Sequence, residues 1–392
     1  MSNKRKGGDK MKNRGSNTST IKADNNSLIL SYIRHQPISR ADICKATGLS
    51  KSSVTTITKQ LIEEGQLIEI GTESTSSGRH PILLDIVKDR RYAIAIHLSR
   101  TEVTVAIVNL KFEAVESVAH PIGEFASPCD VLGWCYEKGI EILKNNNIDM
   151  TLCLGIGIAA PGPIDYKNGI ILTPPNFALF ENFNVKEFFK KITDMPVFLN
   201  NVPVLMAMYE HSKRRPEIKN YMFVTVDSGI GSAIMQNGSV YRGSAGFSGE
   251  LGHTTVDIKG PLCSCGNKGC LEMYVTRRSI ERNCGISSYN DMIDAAYEND
   301  EKALAIVGEA ASYFAGGIVN AINMFDLDAV IIYGELNYRY KLLLSKIQKE
   351  VDHRSIVTKA HPVKVLPSLI AENDVKVFAA ANVIDKYFRQ TL

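Results

Sequence analysis

Gly249-Glu250-Leu251-Gly252-His253, followed by Cys263-Ser264-Cys265-Gly266-Asn267-Lys268-Gly269-Cys270-Leu271-Glu272, crowds one histidine, three cysteines and two carboxylates into a short segment. One imidazole and three thiolates make a full tetrahedral set for Zn²⁺ with no open position, the pattern of a structural site. Gly266 and Gly269 permit the tight turns that such a knuckle needs. The spacing Cys-x-Cys-x4-Cys is not that of a zinc finger, so the metal reading of His253, Cys263, Cys265 and Cys270 rests on their crowding. A redox thiol pair or a polar loop without metal would use the same residues. Glu250 and Glu272 flank the histidine, and carboxylates there are acceptors for a hydroxyl-rich ligand. Two surface glutamates would look no different in sequence.

Toward the N-terminus the pattern is that of a winged helix-turn-helix over residues 25–88. Leu28, Ile29, Tyr32 and Ile33 fall on one helical face, and Pro37 ends it. Ser39 is a good N-cap for a second helix with Ile43 and Ala46 inward and Gly48 as its stop. Ser50 caps a third helix to Glu64, with Val54, Ile57 and Leu61 as the buried stripe. The short link Thr47-Gly48-Leu49 is the turn. Lys51, Ser52, Ser53 and Thr56 lie off the stripe, where a recognition helix presents contacts to the major groove of double-stranded DNA. Two strands, Leu67–Gly71 and Ile82–Ile86, enclose a wing that carries Arg79 and His80. A plain three-helix bundle with a hairpin is the alternative. Residues 1–24 are polar and basic and are expected to be a disordered tail.

Charge follows the same division. Residues 1–80 carry 13 Lys/Arg against 7 Asp/Glu, while the whole chain is only +3, so the positive end favours phosphates. The 392 residues suit two or three domains, and the 44% hydrophobic share is ordinary for a globular protein. No run of about eighteen apolar residues predicts a membrane span, and the first residues lack the apolar core of a secretory signal. A cytoplasmic protein without a membrane partner is expected. The five scattered cysteines, Cys44, Cys129, Cys135, Cys153 and Cys284, are expected to be small buried hydrophobes.

From about Arg91 the pattern alternates between strands and helices, which predicts an α/β body in two lobes over 91–392. Tyr92–Leu98 pairs with Val103–Asn109, and an apolar strand runs into Ala160-Pro161-Gly162-Pro163-Ile164-Asp165. A strand ending at Leu199 precedes Asn200 and Asn201 at the start of a helix, where an α/β fold places ligands. Asn pairs also serve simple turns. Asp227-Ser228-Gly229-Ile230-Gly231-Ser232 is a glycine-rich turn after another strand.

These segments closely resemble the signature of the ROK family, named for repressors, open reading frames and sugar kinases. The agreement covers residues from about 26 to 390. The resemblance implies an actin-like sugar-kinase fold with a zinc knuckle. For members with an N-terminal winged helix-turn-helix, it implies a repressor of sugar-utilisation genes controlled by a sugar or sugar phosphate. It places Asn200, Asn201, Glu250, His253 and Glu272 at the ligand, with His253 serving metal and ligand through different ring nitrogens. A homodimer, or a dimer of dimers, on a palindromic operator is the expected assembly.

Three departures from the family's kinases speak against catalysis, and no catalytic residue is assigned. Asn201 stands where kinases carry the aspartate base, and an amide accepts no proton near neutral pH. Ile96-His97-Leu98-Ser99-Arg100-Thr101-Glu102 replaces the Asp-x-Gly-Gly-Thr phosphate loop. Tyr333-Gly334-Glu335 replaces a Gly-Gly that opens the nucleotide pocket. Retained kinase activity, or release from DNA by a protein partner, are the competing functions.

Overall fold

The computed structural model describes residues 18–72, 81–214 and 218–390. The chain divides into two compact units: residues up to Ile86 together with the chain end from Lys386, and Val87–Asp385.

In the smaller unit, α1 (Thr18–Ile33), α2 (Arg40–Thr47) and α3 (Lys51–Glu63) accompany a sheet of β1 (Ile38–Ser39), β2 (Leu67–Thr72) and β3 (Ile82–Ile86) in the order β1-β3-β2. The caps act as expected. Ser39 accepts from the Asp42 N–H, Gly48 closes α2 at φ 73°, and Ser50 accepts from the Ser53 N–H. Val54, Ile57 and Leu61 are buried under α3 with Ile29, Leu30 and Ile33 of α1 and Ile43 of α2.

Four expectations change here. The backbone is already helical from Thr18, inside the expected tail. Residues 18–24 are mostly polar and give no apolar periodicity to follow, so the sequence placed the helix start later. Leu30 is buried where Leu28 is exposed, and Ala46 faces solvent because a helix of only eight residues spends its one inward turn on Ile43. The chain end, assigned to the larger body, belongs with this unit. Phe388 is buried, its carbonyl accepts from Ser27 Oγ at 3.2 Å, and the Arg34 guanidinium lies 5.6 Å from its ring centre.

The larger unit is built twice over. Its first sheet uses β4 (Tyr92–Leu98), β5 (Glu102–Asn109), β6 (Ala114–Pro121), β7 (Cys153–Ala160) and, after the small β8 (Ile164–Asp165), β9 (Ile170–Ile171) and β10 (Phe183–Asn184) sheet, β11 (Val197–Asn201). The order is β11-β7-β4-β5-β6, with β4–β6 an antiparallel meander and β7 and β11 added in parallel. The second sheet uses β12 (Tyr221–Val226), β13 (Ile230–Gln236), β14 (Ser239–Tyr241), β15 (Ala329–Gly334) and β16 (Lys364–Pro367). Its order, β14-β13-β12-β15-β16, has the same meander and the same two parallel additions. Each sheet has its own apolar core.

Helices cover both sheets. α4 (Pro128–Asn145) and α5 (Val185–Phe189) serve the first lobe, and α6 (Val202–Lys213) follows β11. α7 (Glu272–Val275), α8 (Arg277–Cys284), α9 (Tyr289–Tyr297), α10 (Glu301–Phe325) and α11 (Lys341–Arg354) serve the second, and α12 (Ala381–Gln390) ends the chain. Between β16 and α12 the chain makes two 3₁₀ turns, Glu372–Lys376 and Phe378–Ala380. By length and composition α10 is long and apolar enough to cross a membrane. Its Val307, Ala311, Phe314, Ile318 and Ile322 are buried in the second core, as befits a core helix. Of the scattered cysteines only Cys135 is buried; Cys129 is exposed at the start of α4.

Candidate functional site

The two carboxylates and the histidine meet because the segment between β14 and α7 folds back on itself. A 3₁₀ turn, Leu251–His253, carries the histidine. The following loop is closed by short bridges pairing Thr255 with Cys270 and Leu262 with Lys268. At Gly269, φ is 64° and an added Cβ would lie 1.7 Å from the Asp257 carbonyl, so only glycine allows this closure.

The loop gathers His253, Cys263, Cys265 and Cys270 so that their ligand atoms all lie within 4.8 Å of one another. His253 Nδ1 is 3.7 Å from Cys263 Sγ, and the Cys265 and Cys270 sulfurs are 3.7 Å apart. The Asn267 amide donates to Cys270 Sγ at 3.5 Å and to the His253 carbonyl at 3.1 Å, tying the two sides together. Burial pushes the Cys270 thiol up to about 12, while the Asn267 backbone N–H holds the Cys265 thiol below its ordinary value. A metal cation would reverse the first effect by taking the thiolate as ligand. This donor set can coordinate a metal ion.

Glu272 reaches the same cluster from the start of α7. Its Oε1 accepts from Cys263 Sγ at 3.1 Å and lies 3.5 Å from His253 Nδ1. Its Oε2 faces the turn after β12, where a Cβ on Gly229 would be 3.3 Å away. Glu250 opens to solvent, yet the protein mass around its carboxyl raises its pKa; His253 opposes the rise and Glu272 adds to it. Glu250, His253 and Glu272 therefore form one electrostatic neighbourhood.

Asn200 and Asn201 end β11 at the carboxyl edge of the parallel pair with β7. Asn200 is buried, and its Oδ1 accepts from the Arg242 guanidinium at 2.6 Å. Asn201 packs its side chain toward Gly162, where an added Cβ would lie 3.4 Å away. Arg242 was not singled out from sequence. It also lies over Tyr166, 4.2 Å from the ring centre, and with Gln236, Ser239 and Ser244 it lines a cleft of ≈ 430 Å³. An arginine in a loop carries no mark of the partner it will meet, so only the fold reveals this one.

On the smaller unit, Lys51, Ser52 and Thr56 are exposed along α3 with Thr55 and Lys59, and Ser53 is half-buried beside its cap. Arg79 and His80 lie outside the described residues.

His97, in the segment that departs from the kinases' phosphate loop, ends β4 against Phe378, with ring centres 5.1 Å apart. Its Nδ1 is sealed off without a hydrogen-bond partner, and burial pushes its pKa down to about 4. The unfolded chain then binds the proton more readily than the folded one, so stability present above pH ~6.5 is lost as pH falls toward 4. Between pH 7 and 5 this loss is expected to reach about 1–2 kcal/mol. Chemical denaturation of His97→Phe at both pH values should show a smaller loss than the parent. An equal loss would assign the pH dependence to other groups.

The profile of the ROK family matches residues 93–383. The chain is 30% identical over 385 residues to the xylose repressor of Bacillus spizizenii, spanning 94% of this chain and 96% of that protein. Among solved structures, a ROK family transcriptional regulator, a homolog of the E. coli MLC protein, superposes with a TM-score of 0.74 at 26% identity, covering 95% of this chain and 98% of that one. The ROK hexokinase of Thermus thermophilus superposes with a TM-score of 0.64 at 23% identity, covering 76% of this chain and 99% of its own. The hexokinase likeness identifies an actin-like sugar-kinase fold.

Proposed function

The chain belongs to the ROK family, and from that premise we propose that it is a DNA-binding transcriptional repressor of carbohydrate-utilisation genes whose hold on its operator is set by a sugar or sugar phosphate. The observation that carries this reading is the pair α2–α3. A left-handed Gly48 joins two capped helices, and the second buries one stripe while leaving Lys51, Ser52, Thr55, Thr56 and Lys59 in solvent. In this reading the unit is a winged helix-turn-helix, α3 enters the major groove, and Arg79 and His80 act from the wing. A homodimer or dimer of dimers in the cytoplasm would place two such helices on a palindrome. The likeness over nearly the whole chain to a protein known as a xylose repressor supports it.

Zinc is the metal we assign to His253, Cys263, Cys265 and Cys270. Two sulfurs each about 2.3 Å from a tetrahedral zinc are about 3.8 Å apart, close to the 3.7 Å between Cys265 and Cys270. Bound there, zinc would fix the loop that presents Glu250, His253 and Glu272 to hydroxyls of the effector, with Asn200 and Asn201 as further partners. Asn201 stands where the family's kinases carry the aspartate base, and an amide takes no proton from a sugar hydroxyl, so in this reading the site binds without phosphorylating.

Electrophoretic mobility shift on DNA from the chain's own upstream region tests the reading. Lys51→Ala is expected to weaken binding about tenfold and to reduce the salt slope by about one. Binding unchanged by Lys51→Ala and Thr56→Ala across a salt series would remove α3 as the reader. Sugar-dependent ADP release would restore the kinase alternative.

A further inference from the structure

Arg242 stands out as a cation for which the protein supplies no anion. Its guanidinium is largely enclosed, donating to Asn200 Oδ1 and stacked on Tyr166. Among the described residues no carboxylate pairs with it. A guanidinium offers five N–H donors, and one protein acceptor, Asn200, is met here. None of its nitrogens is among the polar atoms sealed from solvent without a partner, so the remaining donors are reachable from outside. An enclosed charge is costly unless paired. Surface arginines avoid that cost by staying in water, whereas this one is drawn in and held in place.

The holding is built into the loop. Gly246 has φ 91°, and a Cβ there would lie 2.7 Å from the Tyr166 ring, so glycine lets the loop after Arg242 close against the same tyrosine that the guanidinium covers. Asn200 fixes the other side from the end of β11, the position where open α/β sheets receive ligands. A planar fork oriented by two partners, with its free donors open to solvent, is suited to two oxygens of one phosphate or carboxylate.

We propose that the effector of this chain is an anionic sugar, a sugar phosphate or a sugar acid, and that Arg242 is the residue that selects it over the neutral parent sugar. This rests on the reading of Asn200, to which Arg242 is bonded, as part of an effector site.

Isothermal titration of the full chain with D-glucose, D-xylose, their phosphate monoesters, D-glucuronate and D-xylonate tests it. At least one anionic member is expected to bind tenfold or more tighter than its neutral parent, and added salt should narrow the gap. The phosphate and carboxylate arms show which anion is meant. Arg242→Gln is expected to abolish the preference for the anionic member, and Arg242→Lys should restore part of it. Parent sugars binding as well as or better than every anion would overturn the proposal while leaving the effector reading intact. No binding by any member, charged or neutral, would take down the effector reading and this inference with it. The comparison among sugars on the unaltered chain decides the matter even where Arg242→Gln folds poorly.

Discussion

With zinc at the proposed site, Cys270→Ser is expected to take the metal content from about one ion per chain to none, and to lower the melting temperature by about 5–10 °C. Cys270 is fully buried, and its sulfur sits between the His253 carbonyl at 3.4 Å and Cys265 Sγ at 3.7 Å. Serine keeps the volume but offers zinc a poor ligand, since the ion favours thiolate and imidazole. Structural zinc sites contribute on the order of 10 kcal/mol of binding free energy in small peptides. Here bridges such as Thr255 with Cys270 and the bond from the Tyr274 hydroxyl to the Asp257 carboxylate at 3.1 Å hold part of the loop without metal, so the loss in stability is smaller. Sugar response should fall further than operator binding, because Glu250 and Glu272 depend on this loop while α3 belongs to the other unit. Elemental analysis with a thermal melt checks the expectation, and a variant that retains stoichiometric zinc and the parental melting temperature would discard the tetrahedral set.

Glu210→Ala is expected to destabilise the larger unit by about 3–5 kcal/mol. The Glu210 carboxylate is entirely buried on α6 and accepts from Arg214 Nε at 2.5 Å, Ser368 Oγ at 2.6 Å and the Leu369 N–H at 3.0 Å. Arg214 in turn donates to the Pro367 carbonyl at 2.6 Å. Through these bonds the helix that follows the first sheet is fastened to the end of β16 in the second. Alanine would leave a nearly buried guanidinium without its anion and two donors without acceptors, which costs more than the pair contributes by itself. Removing Arg214 as well should recover part of the loss, and the double-mutant cycle isolates the coupling. Because Asn200 and Asn201 lead into α6, effector affinity should fall along with stability. Urea denaturation measures the effect, and a loss below about 1 kcal/mol would show that water replaces the carboxylate without penalty.

The local elements were legible wherever a residue's chemistry acts on its own neighbourhood. Ser39, Ser50 and Gly48 mark helix ends because their side chains or dihedrals satisfy backbone groups within three or four residues. The buried stripe of α3 was legible for the same reason. Ala46, Leu28 and the start at Thr18 were misplaced because a short helix, or a helix start rich in polar residues, gives little apolar periodicity to follow. The two lobes were expected from the alternating strands and helices, but the strand order that their sheets share was not. Strand order is a matter of which segments pair across long separations, and the two halves share it without sharing a sequence period.

The sequence by itself determined the α/β class of the body, the capped helices of the N-terminal unit and the donor set His253, Cys263, Cys265 and Cys270, since each depends on neighbours or on the chemistry of a single residue type. Only the tertiary structure decided that Arg242 would meet Asn200 from 42 residues away, and that Glu210 would hold Leu369 from 159. Enclosed polar groups must find partners somewhere, but which partner is within reach depends on how two separately formed sheets are set against each other.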